Sequence, residues 1–324
     1  MKDEKTSFAC ICMSPALDAT VRLPRAPKGD GEIFKDVEEE THVGGKAVNV
    51  ARWLAIRGAS VACGGLLGED NARPFENELA KYGIEDLFVR VPGETRRNEM
   101  ITWPGGSVKL NRAAFPRLGG GREGVRREKE ETVLSRLSRQ TPSTCHVAIL
   151  SGSLPPAAPG DFYAKAVAHF KSLGWTVVID ASGEAMRLAL EAGPDLVKPN
   201  AEECEALVGF VPKTDEDFRL ATALLREKAA HVIISDGGAG AWFDGEFIAA
   251  PDVEVVDTTA AGDTLLAEYC WRFFCKDYGE QDEGGAGTWA VAAGSAACTM
   301  PGGAPPSAGL VASLVARMLR LQGG

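Results

Sequence analysis

The chain has 324 residues, of which 25% are charged and 45% hydrophobic, with a formal net charge of -10. That length is enough for one large α/β domain with an appendage, or for two domains, and the acidic balance argues against a nucleic-acid binder that relies on bulk attraction. No stretch approaches the length of a membrane span. The charged start Met1–Lys5, followed by only a short apolar run, predicts no signal peptide. The eight cysteines lack zinc-ligand spacing, so reduced structural thiols in a cytoplasmic setting are expected.

In chain order, residues 8–13 read as a first strand. Residues 15–42 are weakly patterned around Pro24, Pro27, Gly29 and Gly31 and suit hairpin strands of a small sheet. From His42 the pattern turns helical, with Ala47, Val50, Ala51 and Leu54 as the apolar stripe and Gly58 as the stop. A strand over 60–67 and a helix over 73–82 follow, and Arg90–Asn111 supplies a second instalment of the small sheet. A turn is expected over 119–124 and a charged helix over 126–137. Strands at 147–151, 176–180, 195–198 and 231–235 alternate with helices at 159–172, 184–192, 201–208 and 216–229. Strands of Val-Val-Ile type separated by helices indicate a mostly parallel sheet buried on both faces. Valines 253, 255 and 256 then suggest a strand leading into DTTAAGD (257–263), a small-residue turn with a helix beginning near Gly262. Residues 286–300 form a helix made almost entirely of small residues.

Four groups of residues could carry chemistry. The turn at 257–263 lets an anion approach the first N–H groups of its helix, and Asp263 beside that anion is suited to taking a proton from a hydroxyl. The competing reading makes Asp263 a helix cap. Gly44-Gly45-Lys46 places a point charge near a helix start that also carries Asn49. Strand alternation puts Arg96 and Asn98 on one face and Arg97 on the other, so the first two could clamp phosphate and hydroxyls. Asp180, Lys198 with Asn200 and Glu203, and the turn from Ser235 through Gly237 to Gly240 all stand at carboxyl ends of strands, where a parallel sheet binds ligands. Asn200 and Glu203 are oxygen ligands that a hydrated magnesium ion accepts.

These motifs together resemble the PfkB carbohydrate kinase family, a ribokinase-like fold, and most closely its 1-phosphofructokinase and tagatose-6-phosphate kinase branch. SPALD (14–18), GGKAVNVA (44–51), TRRN (95–98), SGSLP (151–155), DASGE (180–184), KPNAEE (198–203) and DTTAAGD (257–263) follow in family order. The resemblance implies a single kinase domain over 1–324, a three-layer α/β/α fold with a small β lid built from inserts at about 14–41 and 91–112. It implies ATP and Mg2+ as cofactors, with K+ near Asp257. Asp263 is expected as base with Ala261 and Gly262 as the anion hole. Asp18, Gly44, Gly45, Lys46, Asn49, Arg96, Asn98 and Asn111 are expected at the sugar phosphate. Lys198, Asn200, Ser235, Gly237, Gly240, Ala260, Ala293 and Ala297 are expected at the nucleotide, with magnesium at Asn200 and, through water, Glu203. The implied reaction phosphorylates a primary hydroxyl of a ketohexose phosphate, fructose 1-phosphate first. Tagatose 6-phosphate, fructose 6-phosphate, other sugars or nucleosides, and a non-catalytic sensor remain as alternatives. Partners are small molecules, with no nucleic acid or membrane and a homodimer through the lid. Ser14 replaces the family's Asn, Ala260 its first Gly, and Lys109 a usual carboxylate.

Overall fold

The computed structural model describes residues 6–112, 131–138, 146–156, 158–275 and 284–322. The turn expected over 119–124 and the first residues of the helix expected over 126–137 lie outside these; 131–138 is helical.

A nine-stranded sheet runs in the order β13-β12-β11-β10-β9-β8-β1-β4-β5. Its strands are β1 (Ser7–Cys12), β4 (Ser60–Gly68), β5 (Glu85–Val91), β8 (His146–Ser151), β9 (Thr176–Asp180), β10 (Leu196–Val197), β11 (His231–Ser235), β12 (Gly240–Phe243) and β13 (Glu246–Ala249). All neighbours from β5 to β11 pair in parallel; β12 and β13 add an antiparallel hairpin at the edge. Alternation along β1 sends Phe8, Cys10 and Cys12 into one core and Ala9, Ile11 and Met13 into the other. Each core is covered by helices, which makes three layers. One side holds α1 (Lys46–Ile56), α2 (Arg73–Lys81), α7 (Ala261–Phe274), α8 (Gly285–Cys298) and α9 (Ala308–Gln322). The other holds α3 (Phe162–Ser172), α4 (Gly183–Glu191), α5 (Cys204–Val208), α6 (Asp215–Arg226) and the 131–138 segment. The described cysteines are free thiols, and burial raises those of Cys10 and Cys63, neighbours across β1 and β4.

A second sheet of four strands, in the order β3-β2-β6-β7, is built from β2 (Ala16–Arg22), β3 (Glu38–Gly44), β6 (Arg97–Trp103) and β7 (Gly106–Leu110). It rises from the carboxyl ends of β1 and β5. Gly68 permits the crossing, since a Cβ there would lie 2.2 Å from the Thr95 backbone nitrogen.

Two expectations need correction, and one hairpin is an addition to them. Residues 253–256 form no strand; Val255 and Val256 are exposed and the segment is irregular. The hairpin β12–β13 went unread because its strands are only four residues long and turn-rich. Residues 42–44 still belong to β3, and the helix begins only at Lys46. Among the described residues no helix is long and apolar enough to cross a membrane.

Candidate active site

The chain order brings β1 to the middle of the sheet, with later strands added on both sides. That reversal leaves a crevice beyond the carboxyl ends of β1, β8, β9, β10 and β11. Helix α7 points its N-terminus into this crevice. It is fixed against α1 by Glu268, a fully buried carboxylate that accepts from Trp53 Nε1 at 2.7 Å and Arg272 Nε at 2.7 Å and pairs with Arg57 at 3.2 Å. Five residues earlier, Asp263 is buried at the head of the same helix. Its Oδ2 accepts a hydrogen bond of 2.7 Å from Asn49 Nδ2. Asp263 is therefore not the N-cap: that position belongs to Ala260, whose φ is 64° and whose side chain cannot cap.

Charge around Asp263 is closely arranged. Asp180 accepts from both Lys46 Nζ, at 3.1 Å, and Lys198 Nζ, at 3.2 Å. Burial alone would raise the proton affinity of Asp180, but the two ammonium groups hold it below the ordinary carboxylate range. Asp263 goes the other way: burial raises its pKa, the Asp180 charge adds to this, and Lys46, the Asn49 hydrogen bond and Lys198 pull back. Burial works against the charge of Lys46, yet Asp180, Asp263 and Glu203 together raise its pKa. A methyl added at Gly262 would lie 3.5 Å from Lys198 Nζ, so this ammonium sits beside the helix start.

Two cavities meet there. A polar one of about 570 Å³ is lined by Asp18, Gly45, Lys46, Asn49, Arg96, Asn98, Lys109, Asn111, Lys198, Ala260 and Asp263, among others. A more apolar one of about 630 Å³ is lined by Gly237, Gly240, Val253, Val255, Ala261, Leu265 and a face of α8. Asn200, Ser235, Thr258 and Gly262 line both. The α8 face consists of Val291, Gly294, Ser295 and Cys298, which recur at helical spacing. Ala293, which packs in the core, and Ala297, also buried, do not line the cavity, which corrects the expectation for that helix. Gly294 brings α8 close to the head of α7: a Cβ there would lie 3.2 Å from the Ala261 carbonyl oxygen.

The small sheet closes the polar cavity from above. Asn98 Nδ2 donates to Asp18 Oδ1 at 2.8 Å, in a register that pairs these residues across β2 and β6. Gly44 does not line the cavity; it makes room for Asp18, whose Oδ2 would lie 1.9 Å from a Cβ at 44. Gly45, at φ 118°, passes against Cys12 and Pro15. Arg96 stands just before β6 and donates to the carbonyls of Ser14, at 3.1 Å, and Pro15, at 3.4 Å. Arg97 turns away to pair with Glu39. Gly152, Ser153 and Ser182 also line the polar cavity and were not picked out as site residues. Their motifs SGSLP and DASGE were the available signal.

Asn200 and Glu203 bind each other reciprocally: Glu203 Oε2 accepts from the Asn200 N–H at 2.9 Å, and Asn200 Oδ1 accepts from the Glu203 N–H at 2.7 Å. Glu203 lines the polar cavity and has its other oxygen outside that exchange. Among the described residues no group of three or more His, Cys, Asp or Glu is arranged to hold a metal. Asp257 lies in a small side cavity of about 40 Å³ with His42, Lys109 and Gly302. Its carboxylate accepts from the N–H groups of Thr259, at 2.8 Å, and Gly302, at 3.1 Å, tying the turn before α7 to the 301–303 turn.

A buried carboxylate at the head of a helix, between a polar and a more apolar cavity, has the layout for moving a phosphoryl group from one ligand to another. The comparison with known families agrees. The pfkB family carbohydrate kinase profile matches residues 14–107 and 123–307, and the chain belongs to this family. It is an ATP-dependent sugar kinase that acts on a phosphorylated sugar. Among curated proteins it is 33% identical over 267 residues to the 1-phosphofructokinase of Vibrio cholerae, covering 81% of each chain. It is 32% identical over 280 residues to the 1-phosphofructokinase of Escherichia coli K12, covering 84% of this chain and 86% of that one. Among solved structures, Escherichia coli phosphofructokinase-2 in complex with potassium superposes with a TM-score of 0.82 at 25% identity, covering 98% of this chain and all of the other.

Proposed function

We propose that this kinase transfers the γ-phosphoryl group of ATP to a primary hydroxyl of fructose 1-phosphate, giving fructose 1,6-bisphosphate. The observation that carries the reaction is the position of Asp263, which lines the polar cavity one residue beyond Gly262, the residue that both cavities share. The fructose 1-phosphate assignment rests on the names of the similar curated proteins.

The acceptor sugar lies in the polar cavity, its hydroxyls against Asp18, Asn98, Asn111 and Asn49. Its phosphate meets Arg96 and Lys46. The nucleotide lies along the apolar cavity, its base against the Val291–Cys298 face of α8 and its phosphates toward Ser235, Gly237, Gly240, Asn200 and Lys198. Asp263 accepts the proton of the attacking hydroxyl through the carboxylate oxygen that Asn49 does not hold. The N–H groups of Gly262 and Asp263 and the Lys198 ammonium receive the charge on the transferring group, joined by that of Ala261 if it leaves the Thr258 carbonyl it now meets at 3.3 Å. Because Asp263 is buried and feels the charge of Asp180, it is ionised only at the cost of desolvation, which makes it a stronger base than a solvated carboxylate.

Magnesium, which would offset the charge of the nucleotide phosphates, fits the free oxygen of Glu203, reached through water, better than a protein cage. Asp257 offers a carboxylate to a monovalent cation. The small sheet acts as a lid that excludes water, which would otherwise compete as acceptor. Its outer face carries Val21, Ile101 and Val108 in cross-strand register, and Val108 and Leu110 are exposed, an arrangement suited to a second copy of the chain.

A panel of fructose 1-phosphate, fructose 6-phosphate, tagatose 6-phosphate and free fructose, assayed for ADP release and product identity, tests this reading. The highest kcat/KM is expected with fructose 1-phosphate. A higher value with either 6-phosphate reassigns the substrate, and no sugar-dependent ADP release makes the protein a sensor.

A further inference from the structure

Asn49, the α1 residue that donates to Asp263, does not stand alone on its helix. Three residues beyond Asn49, and so on the same helix face, Arg52 is buried at 5% exposure. One arm of its guanidinium donates to Asn49 Oδ1, and the other donates to Glu78 Oε1 on α2 at 3.0 Å. The result is an unbroken chain from α2 through Arg52 and Asn49 to Asp263 Oδ2. Its direction is fixed by chemistry. An amide can face a neighbour with either its oxygen or its nitrogen, and the two orientations have nearly the same shape. Arginine has donors only, so the Asn49 oxygen must turn to Arg52, and the amide nitrogen must then turn to Asp263.

We propose that Arg52 is a positioning residue for the catalytic base: it locks the Asn49 amide so that Asn49 always donates to Asp263, holding one carboxylate oxygen and leaving the other to the acceptor hydroxyl. The proposal rests on the reading of Asp263 as base. It explains why a charged side chain is retained inside α1 although it reaches neither cavity. It also explains how Asp263 can be ionised where burial and the Asp180 charge oppose it: the groups that pull the other way are Lys46 and Asn49 of α1 and Lys198 after β10. Freed from Arg52, the amide can rotate, and Asp263 loses a hydrogen bond that favours its charged form.

The test is the pH dependence of kcat in Arg52→Met, with KM for both substrates measured alongside. The acid limb is expected to move to higher pH by about one unit and kcat at neutral pH to fall roughly tenfold, with KM changed by less than about threefold. Arg52→Lys, which restores a donor, should recover part of the shift. In an Asn49→Ala background Arg52→Met should move the limb no further, because the effect passes through that amide. If Arg52→Met does not fold, Arg52→Met/Glu78→Leu removes both partners of the ion pair and leaves no uncompensated charge, and the same shift is expected. A folded variant with the wild-type acid limb and kcat overturns the proposal, as does a shift that adds fully to that of Asn49→Ala. Asp263→Asn run in parallel separates the two readings: its loss of activity with an unmoved Arg52→Met limb rejects the role of Arg52 alone, and its retention of activity rejects the base itself.

Discussion

Asp180 and Asp263 are buried carboxylates that both act on Lys46, and their proton affinities are displaced in opposite directions. Lys46 and Lys198 both bond to Asp180, whereas Asp263 accepts its side-chain hydrogen bond from the neutral Asn49 amide. Two acids in one site with separated affinities are suited to separate tasks, one held as a fixed charge and the other available for a proton.

The sign of each displacement sets a stability prediction. Asp180 has a folded pKa below its unfolded value of about 3.9, so its contribution is complete above that value and is lost as pH falls through the folded pKa. Asp263 has a folded pKa above its unfolded value, so its ionised form costs stability; that cost is complete above the folded pKa and is lost as pH falls from there through the unfolded value. Asp263→Asn should therefore melt a few degrees higher than wild type at pH 7. An unchanged or lower Tm at pH 7 contradicts the burial of an ionised carboxylate there.

Ala260 occupies the left-handed region at φ 64°, directly before α7. A non-glycine residue there costs about 1–2 kcal/mol, partly offset by the entropy that glycine loses on folding. Ala260→Gly should raise stability by about 0.5–1 kcal/mol in denaturant unfolding, and Ala260→Val should lower it. A loss of stability in the glycine variant would show that the Ala260 methyl group contributes packing that outweighs the strain.

Arg96 and Lys109 test the acceptor. A charged contact to phosphate contributes about 1.5–3 kcal/mol, or roughly one to two decades in kcat/KM. Arg96 also braces the Ser14–Pro15 backbone, so the informative quantity is a ratio. Arg96→Ala should reduce kcat/KM for fructose 1-phosphate far more than for free fructose, and equal losses on both remove the phosphate clamp. Lys109 lines the polar cavity together with Lys46 and Arg96 and adds positive charge to the acceptor side. Lys109→Glu should alter the ranking among ketohexose phosphates, and an unchanged ranking assigns Lys109 to solvent.

Much of this was legible because the responsible signals are local. Parallel strands buried on both faces announce themselves as short apolar runs, and the small-residue turn at 257–263 marks the head of α7 wherever the rest of the chain lies. Other features depend on tertiary contacts. The side of α8 that meets the cavity could not be read, since a helix of Ala, Gly and Ser is apolar all round and carries no stripe. Ala293 and Ala297 were assigned where Val291, Gly294, Ser295 and Cys298 stand. The pairing of Lys46 with Asp180 joins residues 134 apart in sequence. The mutual binding of Asn200 and Glu203 turns two expected metal ligands first into a local cap. Gly44 was expected to touch the sugar, and its missing Cβ instead admits Asp18.

The most direct measurement is the single-turnover rate of ATP-dependent phosphorylation of fructose 1-phosphate by wild type and by Asp263→Asn, with both substrates saturating. Wild type should form fructose 1,6-bisphosphate with stoichiometric ADP, and the variant, which keeps the shape but not the base, should be slower by roughly 10²–10⁴. A variant that keeps more than about a tenth of the wild-type rate contradicts Asp263 as the group that takes the proton.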